Sequence, residues 1–340
     1  MSRLKVGVFG AGSWGRNHVR TLGALPEVEL TAVCDIASER RAAVQRQYPG
    51  VLVTEHADPA FDRCEAVVIA TPAASHAPLA RQAVERGLPV LIEKPFALSV
   101  REAERVGELA EKRGVPVLVG HLLLFHPAVE LLKRMIDGGD LGDIYYLYSQ
   151  RVNLGQVRPD ENALWSFGPH DVSVALHLLG VAPVRVTAQG RSYLQRGIED
   201  VVFMTMSFAS GVMAHAQMSW LDPHKERRLT VVGSQKMVVF DDMQAREKLK
   251  VYDKGVDRPP EYSSYGESLA VREGDIAIPR VPMVEPLSAE LRHFVRVARR
   301  QEPARSGAAD GVRVVRVLEA ASSSLSQGGN AVAFMSGQAA

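Results

Sequence analysis

The chain has 340 residues, 46% of them hydrophobic, and a formal net charge of +1. This length allows two domains with sizeable cores, and a charge so near zero argues against general nucleic-acid binding. No apolar run reaches the ~18–20 residues that span a bilayer, so no membrane partner is predicted. The first strand begins directly after the N-terminus, and Cys34 and Cys64 fit buried thiols rather than a disulfide. We therefore expect a cytoplasmic protein without a secretory signal.

The N-terminal segment has the pattern of a dinucleotide-binding βαβ unit. A strand over Leu4–Phe9 is followed by Gly10-Ala-Gly12-Ser-Trp-Gly15, the motif G-x-G-x-x-G, and a helix is predicted over 16–25. Gly10 allows the tight turn, Gly12 lets a pyrophosphate approach the backbone, and Gly15 lets helix and strand pack closely. The amides at the helix start, around Ser13 and Trp14, are expected to face the diphosphate.

The second strand, predicted over 28–34, ends at Asp35, twenty residues beyond Gly15. A carboxylate at this place is typical of a group that accepts the adenosine ribose hydroxyls, and it repels a 2′-phosphate. The sequence therefore favours NAD over NADP as the cofactor. Arg40 and Arg41 are close enough in sequence to leave NADP as the alternative.

Strands and helices continue to alternate as far as residue 121. Strands are predicted over 64–70, 89–92 and 115–119, and helices over 38–48, 76–87 and 100–113. This order indicates an α/β domain with a doubly wound parallel sheet, whose ligands bind at the carboxyl ends of the strands. The later residues predicted at this edge are Thr71, Pro72, Glu93, Lys94 and His121, with His76 at the start of the next helix.

After residue 121 the pattern changes. A helix over 127–136 is followed by strand-like runs over 144–150, 184–189, 201–208, 212–219, 229–233, 237–240 and 249–253, interrupted by one helix over 171–179. Without crossover helices, such runs favour an α+β domain with a large, mainly antiparallel open sheet. We expect a loop over 253–286 and two last helices, over 288–300 and 311–324, that pack back on the rest.

The predicted domains are 1–121, a Rossmann domain that binds NAD, and 122–340, a domain for substrate binding and oligomerisation. A sheet with helices on only one face needs cover on the other. A homodimer or homotetramer is therefore expected.

Several motifs carry a specific resemblance to known proteins. They are Gly10-Ala-Gly-Ser-Trp-Gly15, Ala70-Thr-Pro-Ala-Ala-Ser-His76, Glu93-Lys-Pro95 and Trp165-Ser-Phe-Gly-Pro-His-Asp171. In combination they resemble the Gfo/Idh/MocA family of NAD(P)-dependent sugar and cyclitol oxidoreductases. Other stretches, such as Arg151-Val-Asn-Leu-Gly155 and Leu221-Asp-Pro-His-Lys-Glu-Arg-Arg228, are similar to a narrower subset, the UDP-N-acetylglucosamine(-uronate) 3-dehydrogenase type. This resemblance implies hydride transfer between nicotinamide and C3 of a UDP-N-acetylhexosamine or its uronate.

Two residues are expected to carry the chemistry. Lys94, at a strand end beside the nicotinamide, can donate to the reacting hydroxyl and stabilise alkoxide charge, with Glu93 fixing the cofactor or the lysine. The resemblance implies a cis Lys94–Pro95 bond. His170 is the expected proton acceptor, because imidazole titrates near neutrality, and a place at a helix N-terminus would favour its neutral form. Many members of the family have an aspartate four residues before this histidine, where this chain has Ser166.

Substrate recognition is assigned to basic and aromatic side chains of the second domain. Guanidinium groups suit a diphosphate or a uronate, although solvated charges at strand ends are the alternative for each of them. The candidates are Phe125, His126, Arg151, Asn153, Arg158, Trp165, His170, Lys225 and Arg228.

Other chemistries have less support in the sequence. It contains no C-x-x-C, H-E-x-x-H or G-x-S-x-G motif, so neither a metal site nor a serine nucleophile is predicted. Three alternatives stay open: a dehydrogenase of a free sugar or inositol, an NAD-dependent glycosidase that oxidises C3 transiently, and a non-catalytic NAD-binding regulator, which Ser166 suggests.

Overall fold

The computed structural model describes residues 2–257 and 270–334, which divide into two compact units. The first unit holds the described residues up to Phe125 together with Val284–Arg316, and the second holds the others. Within the described ranges, no helix is both long enough and apolar enough to cross a membrane.

The strands are short in the first unit and longer in the second. They are β1 (Leu4–Phe9), β2 (Val28–Cys34), β3 (Leu52–Thr54), β4 (Ala66–Ile69), β5 (Val90–Glu93), β6 (Val117–Gly120), β7 (Ile144–Val152), β8 (Arg185–Arg191), β9 (Val201–Ser207), β10 (Met213–Ser219), β11 (Glu226–Gly233), β12 (Met237–Asp241), β13 (Leu249–Asp257), β14 (Ala270–Ala277) and β15 (Val332–Ala333).

The helices are α1 (Gly15–Ala24), α2 (Ser38–Gln47), α3 (Ala57–Phe61), α4 (His76–Glu85), α5 (Val100–Arg113), α6 (Pro127–Asp137), α7 (Ala163–Leu179), α8 (Pro286–Ala298) and α9 (Ala308–Ser326). Short 3₁₀ turns cover Ala73–Ser75 and Leu122–Phe125.

The first unit is built on a parallel sheet with the strand order β3-β2-β1-β4-β5-β6. All four residues of β4 are fully buried, as expected for a central strand that is covered on both faces. The order reverses between β1 and β4, where open α/β sheets bind ligands at the carboxyl ends of their strands. The predicted doubly wound sheet is confirmed.

The segment Val284–Arg316 completes this unit. Helix α8 packs against α1, β6 and the 3₁₀ turn at Leu122–Phe125. The amide of Val119 in β6 also donates to the carbonyl of Ser306, at 2.7 Å. These contacts bring α8 close to the carboxyl ends of β5 and β6.

The second unit contains a nine-stranded sheet with the order β14-β13-β12-β11-β7-β10-β9-β8-β15. Its pairs are antiparallel except β7 with β10. The predicted large, mainly antiparallel sheet is therefore confirmed, with one parallel pair at its centre.

The two faces of this sheet differ because side chains alternate along each strand. Leu147, Met204, Ala216 and Val231 point to the face on which α7 packs, and all are buried. Alternate residues on the other face stay accessible, among them Tyr146, Tyr148, Phe203 and Met213. The structure therefore contains an apolar sheet face that no described helix of this unit covers.

Two sequence-based predictions are wrong. The expected loop over 253–286 contains the end of β13 and all of β14, whose mostly exposed residues show no apolar alternation; residues 258–269 of that loop lie outside the described ranges. Helix α7 begins at Ala163, not at Asp171. Gly168 and Pro169 conceal the helix in the sequence, because both residues ordinarily disfavour a helix interior.

Candidate active site

The loop after β1 is shaped by two of its three glycines. Gly10 has φ of +90°, and a Cβ there would lie 2.6 Å from the carbonyl oxygen of Ala70. A Cβ on Gly15 would lie 1.9 Å from the carbonyl oxygen of Gly10. Gly12 differs, since the nearest atom to its Cβ would be Nη1 of Arg40 at 3.6 Å. The first and third glycines close the turn, and the second leaves the backbone accessible.

The N-terminus of α1 follows directly from this loop. No described side chain caps it, and its first turn has no acidic residue. Helix amides without a side-chain acceptor attract anions, and the helix dipole adds to that attraction. The predicted roles of Ser13 and Trp14 rest on this position. Loop and helix together fit the diphosphate of a dinucleotide.

Asp35 is 5% exposed at the end of β2. Its Oδ2 accepts from the amide of Ala11 at 2.7 Å, and its Oδ1 accepts from that of Ala37 at 2.8 Å. Each carboxylate oxygen can accept a second hydrogen bond, so a ribose hydroxyl can still be bound. Nη1 of Arg40 lies 3.5 Å from Oδ2, whereas Arg41 donates to the Asp35 carbonyl. Of the two arginines, Arg40 is therefore the one placed to compete for a 2′-phosphate.

Ile36 is a candidate that the sequence analysis missed. This apolar residue follows Asp35 and is 86% exposed. An exposed aliphatic side chain beside the carboxylate that is predicted to bind the ribose suits one face of an adenine ring. The sequence offered one signal for this candidate, namely that Ile36 directly follows the aspartate at the end of a predicted strand.

The loops after β4 and β5 are joined by His76. Its two ring nitrogens lie 2.8 Å from the carbonyl oxygens of Thr71 and Pro95. The Thr71 hydroxyl accepts from Ser75, at 2.7 Å, and Pro72 begins the turn that leads into α4. Because both nitrogens contact backbone, His76 braces the segment that contains Thr71 and Pro72.

Both carboxyl oxygens of Glu93, at the end of β5, accept hydrogen bonds. Its Oε1 accepts from Trp14 Nε1 and lies 2.7 Å from His18 Nε2, and its Oε2 accepts from the Lys94 amide at 3.1 Å. Burial raises the pKa of Glu93, but the hydrogen bond and charge of His18, the charge of Lys94 and the Trp14 donor together lower it below its ordinary value. Glu93 is therefore an ionised group inside the unit. The following Lys94–Pro95 bond is cis, as expected.

Two buried titratable residues lie near Glu93. Burial is the main cause that lowers the pKa of His121 to about 4, and neither of its ring nitrogens has a hydrogen-bond partner among the described residues. Glu290, on α8, is fully buried. Among the described residues, neither of its two carboxyl oxygens has a hydrogen-bond partner. Burial, followed by the charge of Glu93, raises the pKa of Glu290 well above its ordinary value. Both effects therefore favour the protonated form of Glu290.

The sequence analysis missed Glu290 because it lies nearly two hundred residues from Glu93 along the chain. The apolar face of α8 was visible, but its single inward carboxyl group was not.

In the second unit, α7 is anchored at its start. Oδ1 of Asn162 accepts from the Trp165 amide at 3.1 Å, and Nδ2 donates to Glu199 at 2.6 Å. His170 is the eighth residue of this helix. The predicted place of His170 at a helix N-terminus is therefore wrong, and the helix dipole, which acts within the first turn, gives no reason for a neutral imidazole. Ser166 lies one turn earlier and is buried.

Asp171 does not cap a helix but binds Arg151 of β7. Nε of Arg151 donates to Oδ2 at 2.9 Å, and Nη2 to Oδ1 at 3.3 Å. Two parallel charge-assisted hydrogen bonds hold the Arg151 guanidinium group and the Asp171 carboxylate in a defined mutual orientation. This pair ties the sheet to α7 directly after His170.

The other predicted substrate residues are distributed over both units. Phe125 lies in the first unit and contacts His293 and Arg305. His126 caps α6, since its Nδ1 accepts from the Ala128 amide at 3.0 Å. Trp165 donates to Ser322 at 3.0 Å.

Asn153 follows β7, where its backbone pairs with Ser219 and Asp222. Arg158 pairs with Glu161 at 3.0 Å. Lys225 is exposed just before β11. Arg228 pairs with Asp241 at 3.5 Å on the exposed face of the sheet.

The sequence analysis missed Arg227, which lies on the face of the sheet opposite to that of Arg228. In the register of β11 with β7 it stands opposite Arg151, and it forms a 3.8 Å ion pair with Asp242. The alternation along β11 was the signal that distinguishes it from Arg228.

The candidate residues thus form two groups. Gly10, Gly12, Asp35, Thr71, Glu93 and Lys94 belong to the first unit, whereas Arg151, His170 and Arg227 belong to the second. The first group lies at the switch point of a parallel sheet, the place where Rossmann folds bind a dinucleotide.

Comparison with known proteins agrees with this class. Residues 4–121 match the oxidoreductase family with an NAD-binding Rossmann fold, and residues 129–239 match the GFO/IDH/MocA C-terminal domain. The UDP-N-acetylglucosamine 3-dehydrogenase of Acidithiobacillus ferrooxidans is 27% identical over 94% of this chain and 96% of that protein. Inositol 2-dehydrogenase 1 of Saccharopolyspora erythraea is 32% identical over 63% and 67%.

The crystal structure of GenD2 from gentamicin A biosynthesis in complex with NAD is similar over 99% of this chain and 97% of that one, with a TM-score of 0.83 and 26% identity. The chain belongs to the Gfo/Idh/MocA family. It is an NAD-binding dehydrogenase of the sugar type.

We predict that Glu290→Gln changes the pH dependence of stability. A raised folded-state pKa means that Glu290 contributes its full stability below the ordinary carboxyl pKa and that this contribution is lost as the pH rises towards the folded-state value. The variant should therefore match the parent near about pH 4 and become progressively more stable than it towards about pH 8. Urea unfolding across this range measures the difference. Glu285→Gln, an exposed change just before α8, is the control, and an equally flat difference for both variants would contradict the prediction.

We predict that Asp35→Asn weakens NAD binding and shifts the preference towards NADP. The change keeps the size of the side chain but removes the charge, so the loss should be about tenfold in affinity. Arg40→Ala is the matched variant and should weaken NADP while it leaves NAD nearly unchanged. Calorimetric titration with both cofactors measures these affinities; unaltered NAD binding by Asp35→Asn would count against the assigned role.

Proposed function

We propose that the protein oxidises a nucleotide sugar, at C3 of a UDP-N-acetylhexosamine or its uronate. The observation that carries this proposal is the combination of an NAD-binding strand edge ending in Glu93-Lys94 with similarity to a UDP-N-acetylglucosamine 3-dehydrogenase along nearly the whole chain. NAD, when bound, accepts the hydride. Binding, orientation and proton movement are left to the residues of this chain.

Lys94 is the proposed donor to the reacting oxygen. It follows Glu93 directly, and its positive charge contributes to the lowered pKa of that carboxylate. Trp14 and His18 hold Glu93 in place, so the backbone of the next residue, Lys94, is fixed at the end of β5. A positioned ammonium stabilises negative charge that develops on a hydroxyl oxygen during hydride loss.

His170 is the proposed proton acceptor. It is half-buried on α7, between the anchored start of the helix and the Asp171–Arg151 pair. Ser166 occupies the place of the aspartate that many relatives of this family have. The proton is therefore expected to leave His170 without a carboxylate at that position.

A free polyol is the second candidate substrate. It is supported by the 32% identity to an inositol 2-dehydrogenase, which exceeds the identity to the nucleotide-sugar enzyme but covers less of the chain. Both candidates require the same hydride and proton transfers. The substrate tests below separate them.

The proposed activity is tested by NADH formation with UDP-N-acetylglucosamine, its uronate and inositol. Lys94→Met and His170→Gln should each lower kcat by about 10²–10⁴-fold, the usual contribution of acid–base catalysis, and leave NAD affinity within a few-fold of the parent. His177→Gln, on the same helix two turns later, is the control and should retain activity. Full turnover by either of the first two variants, or NADH formation only with inositol, would refute the roles or the substrate class.

We also propose a homo-oligomer that covers the accessible face of the nine-stranded sheet. Tyr146 stacks on Tyr148 and Phe203 on His215 across this face, and Met213 is 54% exposed beside them. Contiguous apolar side chains of this kind usually contact a second copy of a chain.

Sedimentation should show a dimer or tetramer for the parent chain and monomers for Met213→Glu, because a buried charge opposes association. Met283→Glu, at an exposed methionine outside the strands, should leave the assembly intact. A monomeric parent chain would overturn this proposal.

A cytosolic location is proposed as well. Cys34 and Cys64 are both free thiols, which is usual for proteins of a reducing compartment.

A further inference from the structure

Two arginines stand directly opposite each other on the helix-covered face of the second unit. Arg227 of β11 and Arg151 of β7 are register partners, so their Cβ atoms are expected about 4.5–5.5 Å apart on the same face. The neighbouring partners on this face, Leu229 and Ser149, are buried. Like charges at opposite positions are unfavourable unless anions lie between or beside them.

One of the two guanidinium groups is fully matched. Arg151 uses Nε and Nη2 for Asp171, and the pair is nearly buried, with side-chain exposures of 12% and 6%. Its planar fork is therefore already occupied by one carboxylate.

Arg227 is matched far less well. Its side chain is 44% exposed, and its only ion pair among the described residues is the 3.8 Å contact with Asp242. Asp242 is shared, since Lys248 lies 3.3 Å and His126 lies 3.6 Å from its other oxygen. Burial, followed by the charge of Arg151, lowers the pKa of Arg227, although Asp242 and Asp171 oppose this. The surroundings of Arg227 thus leave an accessible guanidinium group for which another anion would be favourable.

We propose that Arg227, backed by Arg151, forms the subsite that binds the anionic group of the sugar substrate. This inference rests on the proposed function. The shared chemistry is an oxyanion, either the diphosphate or the carboxylate of a uronate, and both suit a guanidinium fork. The subsite lies at the start of β11, and Arg151 connects it with Asp171, the residue after His170. An anion held there orients the sugar relative to the proposed proton acceptor.

Arg228 provides a matched comparison. It is the next residue, its side chain is also 44% exposed, and it also pairs with an aspartate, Asp241 at 3.5 Å. However, it stands opposite Gln150 and points to the other face of the sheet. Any effect of general surface charge should therefore be equal for both arginines, whereas a subsite effect should belong to Arg227.

The test is calorimetric titration of the NAD-loaded full chain with UDP, UDP-N-acetylglucosamine, its uronate and free glucuronate. Arg227→Gln should weaken the affected ligands by about tenfold or more, the loss of one charge-assisted hydrogen-bond pair. Arg227→Lys should recover part of the loss because it restores the charge without the fork. Arg228→Gln should bind within twofold of the parent. NAD affinity, measured separately, should be the same for all variants because the NAD-binding residues belong to the first unit.

The ligands distinguish the two sources of the oxyanion. Weakened binding of UDP and both UDP-sugars by Arg227→Gln identifies the diphosphate. Weakened binding confined to the uronates identifies the carboxylate. If the parent chain binds UDP-sugars and Arg227→Gln binds them equally well, the subsite proposal is overturned while the proposed function stands. If the parent binds none of the anions and forms NADH only with inositol, both are overturned.

Discussion

The buried carboxylate of Glu93 is the interaction on which the NAD-binding unit depends. An isolated ionised carboxylate inside a protein is strongly unfavourable, and here Trp14, His18 and the Lys94 amide compensate it. Trp14 belongs to the glycine loop and His18 to α1, so their contacts with Glu93 join this segment to the end of β5. Burial, followed by the charge of Glu93, raises the pKa of Glu290, because a second buried negative charge in this unit is unfavourable. The place of Lys94 is a consequence of this arrangement.

In the second unit, a side-chain cap and an ion pair fix the helix that contains His170. Asn162 fixes the start of α7, and the Asp171–Arg151 pair fixes its middle to the sheet, with His170 between them. A histidine inside a helix has less freedom than one in a loop, which suits the proton-acceptor role that we propose for His170. The cost is a cluster of cations at the ends of β7 and β11, which Asp171 and Asp242 only partly neutralise. We infer that substrate binding completes this balance.

The accuracy of the sequence-based predictions followed the strength of local signals. The first sheet was predicted well because apolar strands, glycine turns and amphipathic helices alternate at regular spacing. Helix α7 was predicted too short because Gly168 and Pro169 lie inside it, and β14 was missed because an exposed edge strand has no apolar alternation. The sequence analysis named Arg228 and missed Arg227 because both are equally basic and nothing local separates them. Only the register of β11 shows which of the two faces α7.

The sequence by itself determined the doubly wound sheet, the glycine-rich loop after its first strand, the aspartate after its second strand and the family, since each depends on residues close together in the chain. The tertiary structure decided which distant side chains interact electrostatically. It paired Arg151 with Asp171, placed Glu290 beside Glu93 and set Arg227 opposite Arg151. Such contacts depend on strand register and helix packing, which bring together residues separated by tens to hundreds of positions and leave no local pattern.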